Sequence, residues 1–428
     1  MITRRAATAG LLSLVAGPAN AAIGPKTDAP VTINFYNYNL ATAGLGGDAT
    51  RELIAGFMTE NPSIKVTGVV VPSNDMATRV QADIAAGRTP DVAQLIFNDL
   101  DFIVNALAVP ALDDIVPKQE WAAHTAGMVP AGLQLGALSG KIYGLAYTFS
   151  TPVLFYNADL FKAAGLNPDM PPKTWDEVKA AGLAIVQKTA KGGVFPSIFS
   201  QFDWVYQAIV LSNGGRVLSE DRRKLMFADP AAVEAVAVVR DLVRSGAMPK
   251  IPEGDATDQM MAGNLGMLLT TSAYQRAMLA ASKGKWELRA APMPAFGDKP
   301  THPTNSGSAL FIMSKDPAKQ RAAWELMKYL TSKLGYTIIT SKIGYLPLRL
   351  DIVDDPAYLG AWTRENPLVR PNLVQLAKLA RWESMPGANY RQIGKIEMAA
   401  VNEAVFGDGD PGQILRAAQG RAQALMPR

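Results

Sequence analysis

The sequence predicts an α/β protein built as two interleaved lobes. Three observations lead there. The chain has 428 residues, too many for one ordinary hydrophobic core and suited to two domains of about 200 residues. Its first hundred residues alternate strand and helix patterns, which implies a parallel sheet with crossover helices. No repeat or low-complexity linker separates the halves, so the lobes should be joined by several short crossings instead of one hinge peptide.

Pro30 to Tyr38 (PVTINFYNY) reads as a buried strand. Ala49 to Thr59 carries Leu53, Phe57 and Met58 at helical spacing, with Asp48 as an expected N-cap. Glu60-Asn61-Pro62 stops that helix, and Ile64 to Val71 is a second strand. Asp75 to Ala86 is a helix ended by Gly87, and Val92 to Phe97 a third strand. Further on, Thr174 and Glu177 form a capping box that opens a helix. Gly266 to Leu269 is an apolar strand. Helices are expected over Pro230 to Ser245, Pro317 to Thr331 and Pro411 to Leu425. Trp175 and Trp324 fall inside helical patterns and should be core. His124 and His302 are expected at the surface.

Composition excludes several chemistries. There is no cysteine and there are two histidines, which removes disulfides, Cys–zinc sites, Fe–S clusters and thiol nucleophiles, and leaves little for His-based metal sites. The net charge of +4 is too small for a nucleic-acid footprint, so no nucleic-acid partner is expected. Neither G-x-S-x-G nor H-E-x-x-H occurs. Gly140-Lys141 lacks the upstream glycine and the following Ser or Thr of a phosphate-binding loop. Carboxylates are plentiful and a glycosidase needs only a pair of them, so an exported glycan hydrolase is the alternative from another class. The missing machinery otherwise points to a binder, with no metal and no cofactor.

At the N-terminus, Arg4 and Arg5 precede a weakly apolar stretch, Ala6 to Gly17, and the small-x-small run Ala19-Asn20-Ala21. This is the layout of a signal peptide spanning residues 1–21, and export to a periplasm is expected. No stretch reaches the ~20 apolar residues needed to span a bilayer.

A polyol or sugar site requires planar hydrogen-bonding side chains and an aromatic face; a phosphate adds hydroxyls, backbone N–H groups or Arg. Asn37 and Tyr38 lie where the first strand ends, the edge at which open α/β sheets hold ligands. Asn98 and Asp99 stand at the same edge of the third strand, where they could equally cap the next helix. Phe149, Ser150 and Thr151, the loop-like Phe202 and Trp204, and the strand-end Thr271 and Ser272 supply further groups.

Four blocks recur in a telling order: Gly87 to Val92 (GRTPDV), Gly140 to Leu145 (GKIYGL) leading into Ser150 to Asn157 (STPVLFYN), Leu160 to Leu166 (LFKAAGL) running into Pro171 to Glu177, and Ala323-Trp324-Glu325 with Tyr329 to Ser332 followed by Gly344 to Pro347 (GYLP). In that order they resemble the extracellular solute-binding proteins of ABC importers, in the branch that binds sugars and glycerol phosphates. The resemblance spans about residues 30 to 425. It implies a two-lobed periplasmic binding protein of type II, with a hinge and a ligand cleft between the lobes. The lobes would comprise residues 22–149 with 305–345, and 150–304 with 346–428. Crossings would fall near 147–151, 304–308 and 344–348.

By the same resemblance Ser150, Ser272 or Thr271, Gly307, Tyr345 and one stacking ring, Trp204, would meet the ligand. Met76 stands where the branch has a tyrosine, Asn98 where it has a glutamate, and Gln201 in place of a second tryptophan; its arginine is matched approximately by Arg391, with Lys395 nearby. The implied ligand is glycerol 3-phosphate, a glycerophosphodiester or a related sugar-like solute, the alternative being a neutral mono- or oligosaccharide. The implied partners are that solute and a membrane permease with its ATPase, the receptor itself acting as a monomer.

Overall fold

The computed structural model describes residues 23–26, 28–42, 45–200 and 202–427. The signal-peptide expectation at 1–21 and the Gln201 position lie outside them. Among the described residues no helix is long and apolar enough to cross a membrane.

The first lobe is a five-stranded sheet. Its strands are β1 (Val31–Asn37), β2 (Ile64–Val70), β3 (Val92–Ile96), β4 (Gly144–Ser150) and, from far along the chain, β9 (Ser306–Ile312). The order is β2-β1-β3-β9-β4. β1 pairs parallel with β2 and β3, whereas β9 runs antiparallel between β3 and β4. Helices α1 (Leu45–Glu60) and α2 (Met76–Ala85) make the crossovers. Asp48 sits inside the first turn of α1, not at its N-cap as expected, because the helix begins at Leu45.

The second lobe carries β5 (Pro152–Asn157), β6 (Gly192–Pro196), β7 (Leu265–Thr271) and β8 (Leu288–Pro292), in the order β8-β5-β7-β6. Around it lie α3 (Trp175–Thr189), α4 (Trp204–Ser212) and α5 (Pro230–Arg244). The capping box at the start of α3 is present, with both reciprocal bonds made. Back on the first lobe is α6 (Pro317–Leu330); the chain ends in α7 (Tyr390–Phe406) and α8 (Pro411–Gln423), which pack on α5. Trp175 and Trp324 are buried in the core.

The lobes meet where β4 becomes β5. Only Thr151 separates the two strands, and it is fully buried. Its amide donates to Ser272 Oγ at 3.3 Å, and its carbonyl accepts from Ser272 N at 3.0 Å. The following Pro152 has no N–H to give, which suits the first residue of a strand. The return runs between β8 and β9, where Thr304 Oγ1 donates to Trp204 O at 2.5 Å. After β9 and α6 the chain stays bonded to the first lobe beyond the expected 345/346 boundary. Leu346 N donates to Phe149 O at 2.9 Å, and Val129 N to Leu348 O at 2.8 Å. Arg349 then donates to Ala126 O at 2.9 Å, Thr331 O at 3.2 Å and His124 O. Further on, the short helix Arg370–Gln375 is tied to the second lobe, its Gln375 Nε2 donating to Pro152 O at 3.0 Å.

His124 is half-buried, not at the surface. Its Nε2 lies 2.7 Å from Thr331 Oγ1, and its ring meets Trp324 edge-on at 5.5 Å. Burial, with the nearby Arg349 and Lys328 charges, lowers its pKa to about 3, so it is neutral.

Candidate binding cleft

A cavity of about 160 Å³ lies between the lobes. From the first lobe it receives Ile96, Asn98 and Asp99; from the second, Phe202, Asp203 and Met385, together with Tyr390, Arg391 and Lys395 of α7. The end of β3 puts Asp99 there through a short 3-10 turn, Phe97–Asp99. That aspartate does not cap the helix it precedes. Its fully buried carboxylate faces the other lobe: Oδ1 accepts from Tyr390 OH and, at 3.5 Å, from Arg391 Nη2. Oδ2 is buried and has no hydrogen-bond partner among the described residues. Burial pushes this carboxyl up from its ordinary pKa, against the Tyr390 hydrogen bond and the Arg391 charge. A buried acceptor left open costs about 1–3 kcal/mol, so it is poised for a ligand hydroxyl or amine.

Arg391 is held from three sides. Nε donates to Tyr390 OH at 2.8 Å, Nη1 reaches Thr78 Oγ1 at 3.3 Å across the cleft, and the guanidinium lies 5.5 Å from the Tyr390 ring. Asp203 borders the cavity from the start of α4. Its Oδ1 accepts from Trp382 Nε1 and its Oδ2 from Gln207 Nε2, both at 2.7 Å. Fully buried Glu397 lies beside it, and burial first, then the Asp203 charge, pushes the Glu397 carboxyl well up. The site therefore has acidic acceptors at its floor and two cations, Arg391 and Lys395, at its rim.

The residues expected from sequence divide into three groups. Asn98 and Arg391 line the cavity. Tyr38, Ser150, Thr271, Gly307 and Tyr345 gather at the hinge. There Tyr38 OH bonds Thr148 Oγ1 at 3.1 Å and Ser308 Oγ at 3.0 Å, while Gln94 Nε2 donates to the same two hydroxyls at 3.0 and 2.9 Å. Thr271 Oγ1 donates to Ser150 Oγ at 2.8 Å, the phenol of Tyr345 faces Tyr38, and Gly307 takes φ of +99°. Ser272 is also at the hinge, occupied with Thr151, and faces a separate cavity behind it. The third group is packed away. Asn37 is fully buried, its Oδ1 held by Leu40 N at 3.0 Å. Met76 is fully buried at the start of α2. Trp204 opens a helix and packs in the core, contrary to its loop-like reading; Val205, Tyr206, Ala208 and Ile209 of the same helix are buried with it.

Sequence reasoning gave Asn98 precedence over Asp99, yet Asp99 brings the carboxylate. Tyr390 and Asp203 also emerge only from the structure, whereas Phe202, named from the sequence, does line the cavity. The one signal for Tyr390 was its place beside Arg391.

Two α/β lobes with strand-to-strand crossings and a polar cavity between them define a two-lobed solute receptor. The chain belongs to the bacterial extracellular solute-binding protein family, whose model matches residues 52–367. The sn-glycerol-3-phosphate-binding periplasmic protein UgpB of Escherichia coli K12 is 24% identical over 428 residues, covering 94% of each chain. The cyclic alpha-maltosyl-1,6-maltose binding protein of Arthrobacter globiformis superposes with a TM-score of 0.80 at 23% identity, covering 93% of this chain and 99% of that one. UgpB from Mycobacterium tuberculosis, in complex with glycerophosphocholine, superposes with a TM-score of 0.78 at 21% identity, covering 93% and 98%. The protein is thus a substrate-binding component of the family that serves ABC sugar and glycerophosphate importers. Members of that family are binding proteins and not enzymes.

Proposed function

We propose that this receptor captures a small polyhydroxylated solute carrying an anionic group and hands it unaltered to an ABC permease and its ATPase. Glycerol 3-phosphate, a glycerophosphodiester and a sugar phosphate are the members of that class. The observation that carries the reading is the buried Asp99 Oδ2, without a hydrogen-bond partner among the described residues, on a residue that lines the same interlobe cavity as Arg391 and Lys395. The carboxylate accepts hydrogen bonds from ligand hydroxyls, and the two cations attract the anionic end. Ligand contacts with both lobes exist only when the cleft is shut, so binding shifts the population toward the closed form. Residues 1–21 act as the export signal in this reading, and capture takes place in the periplasm. The hinge group from Tyr38 to Tyr345 supports the crossings about which the lobes turn.

A neutral sugar receptor is the second reading. The acceptors Asp99 and Asp203 beside the Phe202 ring support it, because a pyranose offers hydroxyl donors and an apolar face.

A thermal-shift screen with glycerol 3-phosphate, glycerophosphodiesters, sugar phosphates and neutral sugars tests both. A phosphate-bearing hit competed by inorganic phosphate and weakened by salt supports the first reading. A salt-insensitive neutral sugar supports the second. X-ray scattering should then show compaction with the hit; an unchanged radius of gyration would refute closure, and product formed on prolonged incubation would refute the receptor role.

A further inference from the structure

We propose that an ion-paired partition, Asp101–Arg222–Glu383, sets the length of ligand that the cleft accepts. The inference rests on the receptor reading above and adds a limit on ligand size. A second interlobe cavity, of about 570 Å³, adjoins the first. Ser139 and Gly140 line it from the first lobe, and Gln207, Arg222, Arg381 and Glu383 from the second.

The two cavities share a wall. Gln207, on the larger, donates to Asp203, on the smaller, at 2.7 Å. Glu383 borders the larger and Met385 the smaller, so the segment between them divides the spaces. Asp101 lies two residues beyond the cavity residue Asp99, in the first turn of the helix Leu100–Asn105.

The partition closes this wall across the lobes. Arg222 Nη1 donates to Glu383 Oε2 at 3.0 Å, and Nη2 donates to Asp101 Oδ2 at 3.0 Å and Ser384 O at 2.8 Å. Asp101 Oδ1 accepts from Gly387 N at 2.9 Å, and Ser384 Oγ accepts from Asp101 N at 3.2 Å. Arg381 adds a second stitch, donating to Ala137 O at 2.8 Å. These groups are sheltered: the side chains of Arg222 and Asp101 are 18% and 7% exposed. Arg222 is held at φ of +59°, an uncommon backbone state for a residue with a side chain. Its turn is tied down by Ser219, whose carbonyl accepts from Arg222 N at 2.9 Å and whose Oγ accepts from Lys224 N at 2.9 Å.

The smaller space, about 160 Å³, falls below the ~300 Å³ at which pockets for drug-sized ligands begin. One sugar-sized or glycerophosphate-sized unit suits it. A ligand of two or more such units needs both spaces and must part a guanidinium from the buried Asp101 and the half-buried Glu383, which is costly when the freed charges stay desolvated. The partition therefore selects compact solutes.

The test is calorimetric titration of two length series, glycerol 3-phosphate to glycerophosphocholine to glycerophosphoinositol, and glucose to maltose to maltotriose. Wild type, Arg222→Ala and Arg222→Lys are compared, with circular dichroism to verify folding; Glu383 keeps Arg381 and Asp101 keeps Gly387 N in both variants. In the series it recognises, wild type should bind the shortest member at least tenfold tighter than the longest. Arg222→Ala should narrow that ratio to within threefold while changing the Kd of the shortest member less than threefold, with Arg222→Lys in between. An unchanged ratio in a folded Arg222→Ala protein, or a wild type that prefers the longest member, overturns the partition while leaving the receptor reading intact. Binding of neither series by any of the proteins overturns the receptor reading, and the partition falls with it.

Discussion

Gly307 offers a sharp test of how the hinge is built. It lies on β9 opposite Phe149 of β4, one residue before a register shift between Ser308 and Ala309. Its φ is +99°, and a Cβ there would stand 2.0 Å from Thr148 O and 2.8 Å from Phe149 Cα. Both neighbours are backbone atoms of a fully buried strand, so neither can swing aside. Placing an L-residue in the left-handed region costs about 1–2 kcal/mol by itself. Displacing a paired, buried strand adds overpacking of typically 1–3 kcal/mol. Gly307→Ala should therefore destabilise by about 3 kcal/mol or more. Gly87 is the control: its φ is +74° but nothing lies within 4 Å of the added Cβ, so Gly87→Ala should cost about 1–2 kcal/mol. Urea titrations followed by tryptophan fluorescence compare the two midpoints, with equal slopes required for the comparison. Equal costs for the two variants would refute the clearance argument. If Gly307→Ala kept full stability yet lost ligand binding, its role would be ligand contact and not backbone clearance.

Asp99→Asn keeps the shape of the cleft but removes the charge facing Arg391; titration with glycerol 3-phosphate should show at least a tenfold weaker Kd, about 1.4 kcal/mol, and an unchanged Kd would refute the assignment. His124 is held at about pKa 3 in the folded chain, against 6.5 when unperturbed, so below pH 6.5 the unfolded chain takes up a proton that the folded one refuses. Stability should fall with decreasing pH in the window from 6.5 toward 3, by up to about 1.4 kcal/mol per unit, and His124→Gln should flatten the melting temperature between pH 7 and 5; an unaltered slope would count against a neutral, buried imidazole. Glu120, held at about 2 mainly by the Arg321 hydrogen bond, has the usual carboxylate sense: its contribution is present above about pH 4.5 and is lost as pH falls toward 2. Thr174 accepts from Glu177 N at 3.2 Å and caps α3, so Thr174→Ala should cost about 1 kcal/mol by chemical denaturation, whereas no loss would mean that the helix end is held by its surroundings.

Elements whose stability is local were legible in the residues. Alternation and apolar spacing located β1, β2 and β3 and the helices between them to within a few residues, because period and propensity act over one or two turns. The capping box at Thr174 and Glu177 and the helix end at Gly87, at positive φ, are likewise set by near neighbours. The end of β3, at the edge an open α/β sheet presents to a cleft, does line the interlobe cavity. Asn98 and Asp99 mark where legibility ended. They are adjacent on one short turn, and only the turn's orientation against α7 decides that Asp99 meets Tyr390 and Arg391, some 290 positions away. Trp204 shows the converse, a ring read as lying in a loop but drawn into the core by the helix it opens. The last departure from the first lobe is deferred by Arg349, whose guanidinium gathers carbonyls from two distant segments. Local sequence sets which segments form; which side chains from distant segments come to face one cavity depends on how the lobes pack, and no short-range pattern carries that information.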